Sequence, residues 1–204
     1  MDELTIKTQR LILRPFTESD AEPAGRNSRQ PSAVRYLSDM VWADEDEARE
    51  FIKYFNMHKL NLNTPHVILG IFLHPEGAHQ TATEQTVAEL TAAEQTASSD
   101  ACIGFVGVGP KDELGGEIEL GYLIADEFSG NGYATEAAGA MIRWAFERAG
   151  LDALSAIADP TNAASLRILE KLGFMRIKTM VFPDGNTFVY YRLCQTGSVN
   201  RNAP

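Results

Sequence analysis

The sequence predicts a single α+β domain built on a mixed β-sheet. In several short segments, apolar and polar residues alternate with a period of two, which is typical of strands. In longer segments the apolar residues recur at the spacing of a helix face. The segments follow in the order strand, two helices, three strands, helix, strand, helix and two strands. Because strands and helices do not alternate regularly, the pattern argues against a doubly wound parallel fold.

The N-terminal part of the chain predicts one strand and two helices. Residues 5–16 form the strand, because leucines and arginines alternate there. A short helix follows, and Pro31 must end it because proline lacks the backbone donor that a helix interior needs. The next helix spans residues 43–62. It begins with the acidic stretch 44–47, which complements the positive end of the helix dipole.

The composition changes after a buried strand at residues 67–73. Residues 75–100 are rich in Ala, Thr, Glu, Gln and Ser, and the pattern of residues 81–86 nearly repeats at 91–96. Such a tract cannot bury enough apolar surface to offset the entropy lost when it becomes ordered. We predict a flexible low-complexity insertion between two strands, with a role in partner binding as the alternative.

The second half of the chain predicts the remaining elements. They are strands at residues 102–108, 117–124, 153–158, 174–181 and 186–193, and helices at residues 131–149 and 163–172. We therefore expect one domain over residues 1–195, followed by a disordered tail at residues 196–204. A monomer and a homodimer are both compatible with this organisation.

Composition and charge exclude several functional classes. The net charge of −10 argues against nucleic-acid binding, because clustered Lys and Arg hold phosphates. No run of about 18 apolar residues offers a membrane span, and the N-terminus lacks the features of a signal peptide. Cys102 and Cys194 have no metal-ligand spacing, and neither do the four histidines, so no metal is predicted. We expect two buried free thiols and a cytoplasmic location.

A glycine-rich segment joins a predicted strand to a predicted helix. In this segment, which we call the glycine loop (residues 128–135), Gly130 and Gly132 let the backbone turn tightly and approach a ligand. The helix that follows presents unpaired N–H groups and the positive end of its dipole, which suit a diphosphate. A Walker A lysine and a complete GxGxxG pattern are both missing, and an ordinary strand-to-helix turn is the alternative.

Three segments resemble one enzyme superfamily. Residues 119–124 and 130–137 resemble the acetyl-CoA-binding motif of GNAT acetyltransferases, and residues 162–165 with 170–174 are similar to its second motif. Residues 8–16 look like the start of the ribosomal-protein N-terminal acetyltransferase (RimJ/RimL-like) branch. The resemblance implies an acyl-CoA N-acyltransferase fold, with a mixed and mostly antiparallel central sheet flanked by helices. It also implies acetyl-CoA as cosubstrate and a primary amine as acceptor.

The resemblance also assigns residues to the cosubstrate. Backbone groups of Leu123 and Ile124 would bind the pantetheine arm, and the Leu123 N–H would donate to the thioester carbonyl. Asn162 would bind the pantetheine chain, and Ser165 would lie near the sulfur. The diphosphate would be cradled by the glycine loop, through Ser129, Gly130, Asn131, Gly132, Tyr133, Ala134 and Thr135.

The chemistry of amine acetylation requires a base. An alkyl amine has a pKa of about 10 and must lose a proton before it attacks the thioester. Glu119, beside the glycine loop, is the first candidate. Glu117 shares its face by period two, and Asp184 lies on a late turn, so both remain alternatives. A purely structural carboxylate paired with an arginine is the other interpretation of Glu119.

Two positions depart from the pattern of the superfamily. Where many members carry a tyrosine as general acid, this chain has Leu169, so Ser165 is the available proton donor. The alternative is that the Ser165 hydroxyl only bonds to backbone at the start of its helix. Where the family usually carries Gln or Arg, this chain has Ser129, which leaves more of the diphosphate contact to backbone amides. Tyr36 and Trp42 are candidates either for the acceptor site or for the core.

The leading hypothesis is an N-acetyltransferase that acts on the α-amino group of a protein or peptide in a ternary complex. A small-molecule amine acetyltransferase, acting on an amino sugar, a polyamine or an amino acid, is one alternative. A non-catalytic acetyl-CoA sensor is the other. The acidic surface would favour cationic acceptors, or it would serve only solubility.

Overall fold

The computed structural model describes residues 4–57, 66–74 and 102–195. The predicted insertion at residues 75–100 and the predicted tail at 196–204 lie outside the described residues. No helix among the described residues is both long and apolar enough to cross a membrane.

One sheet organises the described part of the chain. Its strands are β1 (Ile6–Lys7), β2 (Leu11–Arg14), β3 (Val67–Leu73), β4 (Cys102–Lys111), β5 (Glu117–Ile124), β6 (Ala153–Ala158), β7 (Met175–Val181) and β8 (Thr187–Cys194). They lie in the order β1-β2-β3-β4-β5-β6-β8-β7. All neighbouring strands are antiparallel except β5 and β6, which run parallel. The sheet is therefore mixed and mostly antiparallel.

Helices cover both faces of the sheet. They are α1 (Ala21–Ser28), α2 (Pro31–Tyr36), α3 (Glu45–Met57), α4 (Tyr133–Glu147) and α5 (Ala163–Lys171). On one face, buried residues of α4 such as Ala137 and Met141 pack with strand residues such as Val106. On the other face, Ala24 of α1 and Ile52 of α3 belong to a second core cluster. Each helix contributes at least one buried apolar residue to one of these two clusters, and this burial stabilises the packing of helices on the sheet.

The N-terminal elements differ from the sequence prediction in two places. The predicted strand at residues 5–16 is a hairpin of β1 and β2, because the chain turns where the Thr8 N–H donates to the Leu11 carbonyl at 2.9 Å. Pro31 does follow the end of α1, but it also begins α2, which was not predicted. Proline is tolerated at the first helical position because its missing N–H would have no partner there.

The remaining element bounds agree with the prediction to within two residues, except at two ends. Strand β4 continues to Lys111, three residues beyond the predicted end, and α3 is described only as far as Met57. The cysteine prediction is half wrong, because Cys102 is buried but Cys194, the last residue of β8, is exposed.

Candidate active site

Strands β5 and β6 separate soon after they meet. Among the described residues, their register contains a single Cα pair, Glu119 with Ser155. Beyond it, a cavity of about 490 Å³ lies between the strands, lined by residues 120–124 of β5 and 156–158 of β6. Parallel strands normally continue their ladder, so the separation leaves backbone groups of both strands facing the cavity.

The hydrogen-bond ladder identifies which N–H groups of β5 face this gap. The Ala125 N–H donates to the Ile103 carbonyl at 2.8 Å, and the register without shifts pairs Leu123 with Phe105. Bonded pairs recur at every second residue of an antiparallel ladder, so the Leu123 N–H points towards β4. The N–H groups of Tyr122 and Ile124 point towards β6. The Leu123 N–H, predicted to bind the thioester carbonyl, is therefore directed to β4 rather than to the gap, and the Leu123 side chain packs in the core.

The glycine loop turns sharply into the start of α4. Gly130 and Gly132 adopt φ values of 83° and 80°, where a side chain would strain the backbone. Gly132 is the N-cap of α4 and no side chain caps the helix there, so its first N–H groups remain available. Asn131 and both glycines are exposed. The loop can therefore receive an anion from solvent.

The residues predicted to bind the diphosphate differ in whether they line the cavity. Ser129 and Ala134 line the cavity, whereas Gly130, Asn131, Gly132, Tyr133 and Thr135 do not. The Tyr133 ring is buried in the core and lies under the Arg10 guanidinium, 4.7 Å from it. Only the backbone of Tyr133 is therefore positioned to contact a ligand.

The start of α5 brings two predicted residues to the opposite wall. The Asn162 side-chain oxygen accepts the Ser165 N–H at 3.1 Å and caps the helix. The Asn162 amide group is left to donate. Both residues line the cavity, as does Leu169, whose apolar side chain has no proton to give. Ser165 is thus the candidate donor contributed by α5.

A second hydroxyl at this wall was not predicted. The phenol oxygen of Tyr122 lies 3.1 Å from the Ser165 Oγ. Burial raises the pKa of Tyr122 to about 12, so the phenol stays protonated at neutral pH. The period-two argument that selected Glu119 and Glu117 places Tyr122 on the other face of β5. The only sequence signal for it was a polar aromatic residue inside the motif.

Replacing Tyr122 by Phe tests whether its phenol supports Ser165. The change removes one neutral hydrogen bond of about 0.5–1.5 kcal/mol, so we expect kcat to fall by about two- to tenfold. The KM for acetyl-CoA should stay within about twofold, since the ring remains. Steady-state kinetics of thiol release measures both constants. A Ser165→Ala/Tyr122→Phe double variant as slow as Ser165→Ala alone would show that the two hydroxyls act together, and fully additive losses would contradict it.

Glu119 lies at the point where β5 and β6 separate. Its partly buried side chain lines the cavity. Burial raises the pKa of Glu119 to about 7, against the opposing effect of Lys111 and of the Ile157 N–H that bonds to the carboxylate. A carboxylate with this pKa is ionised in part at neutral pH and still takes up a proton readily, which suits a general base.

The two alternative bases have other partners. Glu117 accepts hydrogen bonds from the Ser155 hydroxyl and, at 2.7 Å, from the Tyr190 hydroxyl, and Arg192 lies 3.4 Å away. Burial alone would raise the pKa of Glu117, but these contacts outweigh it and lower the pKa. Glu117 does not line the cavity, whereas Asp184 does. Both oxygens of Asp184, however, accept hydrogen bonds from Asn186 within its own turn.

The raised pKa of Glu119 predicts how stability depends on pH. The folded protein binds a proton at Glu119 more tightly than the unfolded chain, so ionisation costs folding free energy as pH rises from about 4.5 to about 7. We compare the free energy of unfolding of Glu119→Gln with that of wild type. The advantage of the variant should be larger at about pH 8 than at about pH 5, by on the order of 2–3 kcal/mol. Urea unfolding at both pH values measures this advantage. An equal difference at the two pH values would contradict the raised pKa.

The far side of the cavity carries mixed polar and aromatic groups. Tyr36, Asp39, Glu113, Phe182 and Phe188 line it together with Lys111, which lies 3.1 Å from Asp39. Trp42, in contrast, is buried in the second core cluster, 4.4 Å from the Phe51 ring, and does not line the cavity. Of these two aromatic candidates for the acceptor site, only Tyr36 lines the cavity. Across the described ranges, no group of three or more His, Cys, Asp or Glu could hold a metal ion.

Comparison with known sequences identifies the family. The model of the acetyltransferase (GNAT) domain family matches residues 10–175. The uncharacterized N-acetyltransferase p20 of Bacillus licheniformis is 26% identical over 172 residues, which cover 84% of this chain and 83% of p20. A Bacillus subtilis (strain 168) protein with the provisional name ribosomal N-acetyltransferase YdaF is 30% identical over 95 residues, which cover 44% of this chain and 52% of that protein.

Comparison with solved structures confirms the predicted fold class. RimL, described as a ribosomal L7/L12 α-N-protein acetyltransferase in complex with coenzyme A, matches with a TM-score of 0.67 over 94% of this chain and 98% of its own. The two sequences are 14% identical, so the likeness concerns the fold. The family model covers most of the chain, which confirms the family that the motifs predicted. The chain belongs to the GNAT acetyltransferase family and is an acetyl-CoA-dependent N-acetyltransferase that resembles the RimJ/RimL-like members.

Proposed function

We propose that the protein transfers the acetyl group of acetyl-CoA to the α-amino group of a protein or peptide, by direct attack in a ternary complex. The observation that supports this most is the separation of β5 from β6. The base candidate Glu119 lies where the two strands begin to separate. The gap offers backbone groups to an extended thioester, and the carboxylate stands where an amine would enter.

The proposed position of acetyl-CoA follows from the groups available along the gap. The first N–H groups of α4 and the backbone of Gly130 and Gly132 would bind the diphosphate. The pantetheine arm would lie between β5 and β6, where the amide group of Asn162 can donate. The N–H groups of Tyr122 and Ile124 would donate to the thioester carbonyl, whose oxygen gains negative charge during attack.

The proposed proton transfers use Glu119 and Ser165. An α-amino group has a pKa of about 8, so a carboxylate with a pKa of about 7 can accept its proton as the nitrogen attacks the thioester carbon. The carbon–sulfur bond then breaks and coenzyme A leaves as a thiolate, which is a good leaving group because its thiol has a pKa of only about 8.5. The Ser165 hydroxyl would donate a hydrogen bond to that sulfur, with the Tyr122 phenol beside it.

Direct attack is favoured over an acetylated cysteine intermediate. Neither of the two cysteines of the chain lines the cavity, and burial raises the pKa of the Cys102 thiol to about 12. A thiol in that state is a poor nucleophile. The acceptor and acetyl-CoA would therefore have to occupy the site together.

A peptide acceptor is supported by the names of two similar proteins and by polar groups in the cavity. RimL is described as an α-N-protein acetyltransferase, and YdaF carries a ribosomal name. The far side of the cavity offers polar groups that an extended peptide could use. The buried Ser32 hydroxyl lines the cavity and has no hydrogen-bond partner among the residues the structure describes.

Charge favours a second candidate, a small polycationic amine. Asp39, Glu113, Glu119 and Asp184 line the cavity, and Lys111 is the lining residue of opposite charge. A polyamine would be attracted by this excess of carboxylates. The same carboxylates would also favour a peptide with basic residues near its N-terminus, so the acceptor has to be distinguished by experiment.

The test is thiol release from acetyl-CoA with a matched panel of acceptors. The panel holds peptides with basic or neutral N-terminal sequences, the same peptides with a blocked α-amine, polyamines and aminoglycosides. We expect release with free peptides and none with the blocked ones. Release only with polyamines or aminoglycosides would replace the peptide proposal by the small-molecule one. Coenzyme A binding without release for any acceptor would favour a sensor, which the serine at 129 and the leucine at 169 would suit.

A further inference from the structure

The N-terminal hairpin contacts the glycine loop through one arginine. Arg10, which precedes β2, donates its Nη1 hydrogen to the Asn131 carbonyl at 3.0 Å. Its guanidinium also lies over the Tyr133 ring, and a Cβ on Gly132 would stand 3.5 Å from its Nη2. The loop of the proposed diphosphate site is therefore supported by a residue about 120 positions earlier in the chain.

Arg10 is itself held firmly by the first turn of α4. Its Nε donates to one oxygen of Glu136 at 2.7 Å, and its backbone N–H donates to the other at 2.9 Å. The Thr8 hydroxyl donates to Glu136 at 2.6 Å. Burial would raise the pKa of Glu136, but these donors outweigh it and lower the pKa, so the carboxylate stays ionised at neutral pH. Both side chains of the ion pair are less than one-fifth exposed.

The contact with Asn131 determines where a neighbouring donor points. The Asn131 carbonyl and the Gly132 N–H belong to the same planar trans peptide, so they point in opposite directions. When Arg10 holds the carbonyl on the side of the hairpin, the Gly132 N–H is turned away from the hairpin, and Gly132 itself is exposed. Glycine at φ 80° would otherwise be free to rotate this peptide.

We propose that Arg10 is a positioning residue for diphosphate binding, which orients the Asn131–Gly132 peptide while Glu136 and Thr8 hold the guanidinium in place. The inference rests on the proposed binding of acetyl-CoA at the glycine loop. Arg10 acts through geometry rather than through its charge, because Glu136 already neutralises that charge. The chain lacks a basic or amide side chain at Ser129, so the orientation of backbone donors carries more of the diphosphate contact.

The test compares two ligands in Arg10→Lys and in a matched control. Lysine keeps the charge and can reach Glu136, but its single ammonium cannot also hold the Asn131 carbonyl as the guanidinium fork does. The control is Arg14→Lys, the same change on the same hairpin, at an arginine whose ion pair with Asp20 is also 2.7 Å long. The ligands are coenzyme A, titrated by calorimetry, and pantetheine, which lacks the diphosphate, titrated by NMR.

We expect Arg10→Lys to raise the Kd for coenzyme A about tenfold, the order expected for one charge-assisted hydrogen bond. The Kd for pantetheine should not change, and Arg14→Lys should leave both constants at wild-type values. An unchanged Kd for coenzyme A, or an equal loss with both ligands, would overturn the inference. If Arg10→Lys fails to fold, Glu136→Gln provides the same ligand comparison. A wild-type protein that binds no coenzyme A would overturn the proposed function as well.

Discussion

Glu119→Gln should lower kcat/KM for the acceptor by about 100-fold or more, the contribution of a positioned general base. Glutamine keeps the size and the hydrogen bonding of the side chain but cannot accept the proton of the attacking amine. The cavity should stay intact, so the Kd for coenzyme A should remain within about twofold. Thiol release under conditions of limiting acceptor gives kcat/KM, and calorimetry gives the Kd.

The pH profile distinguishes the base from a merely structural carboxylate. The base acts when it is ionised, so wild-type kcat/KM should rise as pH increases through about 7, the pKa to which burial raises Glu119. A second rise near about 8 would reflect the acceptor amine. Glu119→Gln should lose the first rise and keep the second.

Two other carboxylates serve as controls for the base. Asp184→Asn changes a carboxylate that lines the cavity but accepts a hydrogen bond from Asn186 within its own turn. Glu117→Gln changes a carboxylate that does not line the cavity. Both variants should keep kcat within a few-fold of wild type. An unaffected Glu119→Gln enzyme, or a loss as large in Asp184→Asn, would show that the base has been assigned to the wrong residue.

Gly132→Val should weaken coenzyme A binding at least about tenfold without unfolding the protein. A β-branched residue at φ 80° costs about 1–3 kcal/mol in backbone strain, and it forces the loop away from the shape that presents its N–H groups. Its Cβ would also approach the Arg10 guanidinium. Calorimetric titration with coenzyme A measures the effect.

The matched control for this change is Gly150→Val. Gly150 has φ 70°, with nothing within 4 Å of a built Cβ, and it lies beyond the other end of α4. The two variants should lose similar thermal stability, while only Gly132→Val loses affinity for coenzyme A. Equal and unchanged affinity in both would contradict the assignment of the diphosphate to the glycine loop.

Local patterns in the sequence predicted most of the fold. Most strands and helices of the second half could be predicted because they bury one face, and several of them end near a Gly or Pro signal; strand β7 is largely exposed. Helix α2 was missed because Pro31 was interpreted only as a stop, although proline fits the first turn of a helix equally well. The hairpin at residues 6–14 was missed because its turn contains no glycine or proline.

The site residues that lie within one local motif could be predicted from the sequence. The contacts between distant segments of the chain could not. Glu119, the glycine loop, Asn162 and Ser165 all lie in motifs that could be recognised, and Glu119, Asn162 and Ser165 share the cavity. Tyr122 was missed because its contact with Ser165 joins a strand to a helix 43 residues later. The partnership of Arg10 with Glu136 spans 126 residues, and no periodicity within a single element reveals it. The bonding direction of the Leu123 N–H depends on a ladder with another strand.

Direct acetylation of an α-amine is best tested by locating the acetyl group on the product. A peptide with a free α-amine and an internal lysine is incubated with acetyl-CoA and the enzyme, and fragmentation mass spectrometry assigns the modified nitrogen. We expect one acetyl group on the α-nitrogen, an unmodified lysine and no acetylated enzyme. Acetylation of the lysine alone would contradict α-amine specificity, and an acetyl group retained on the enzyme as a reaction intermediate would contradict direct attack.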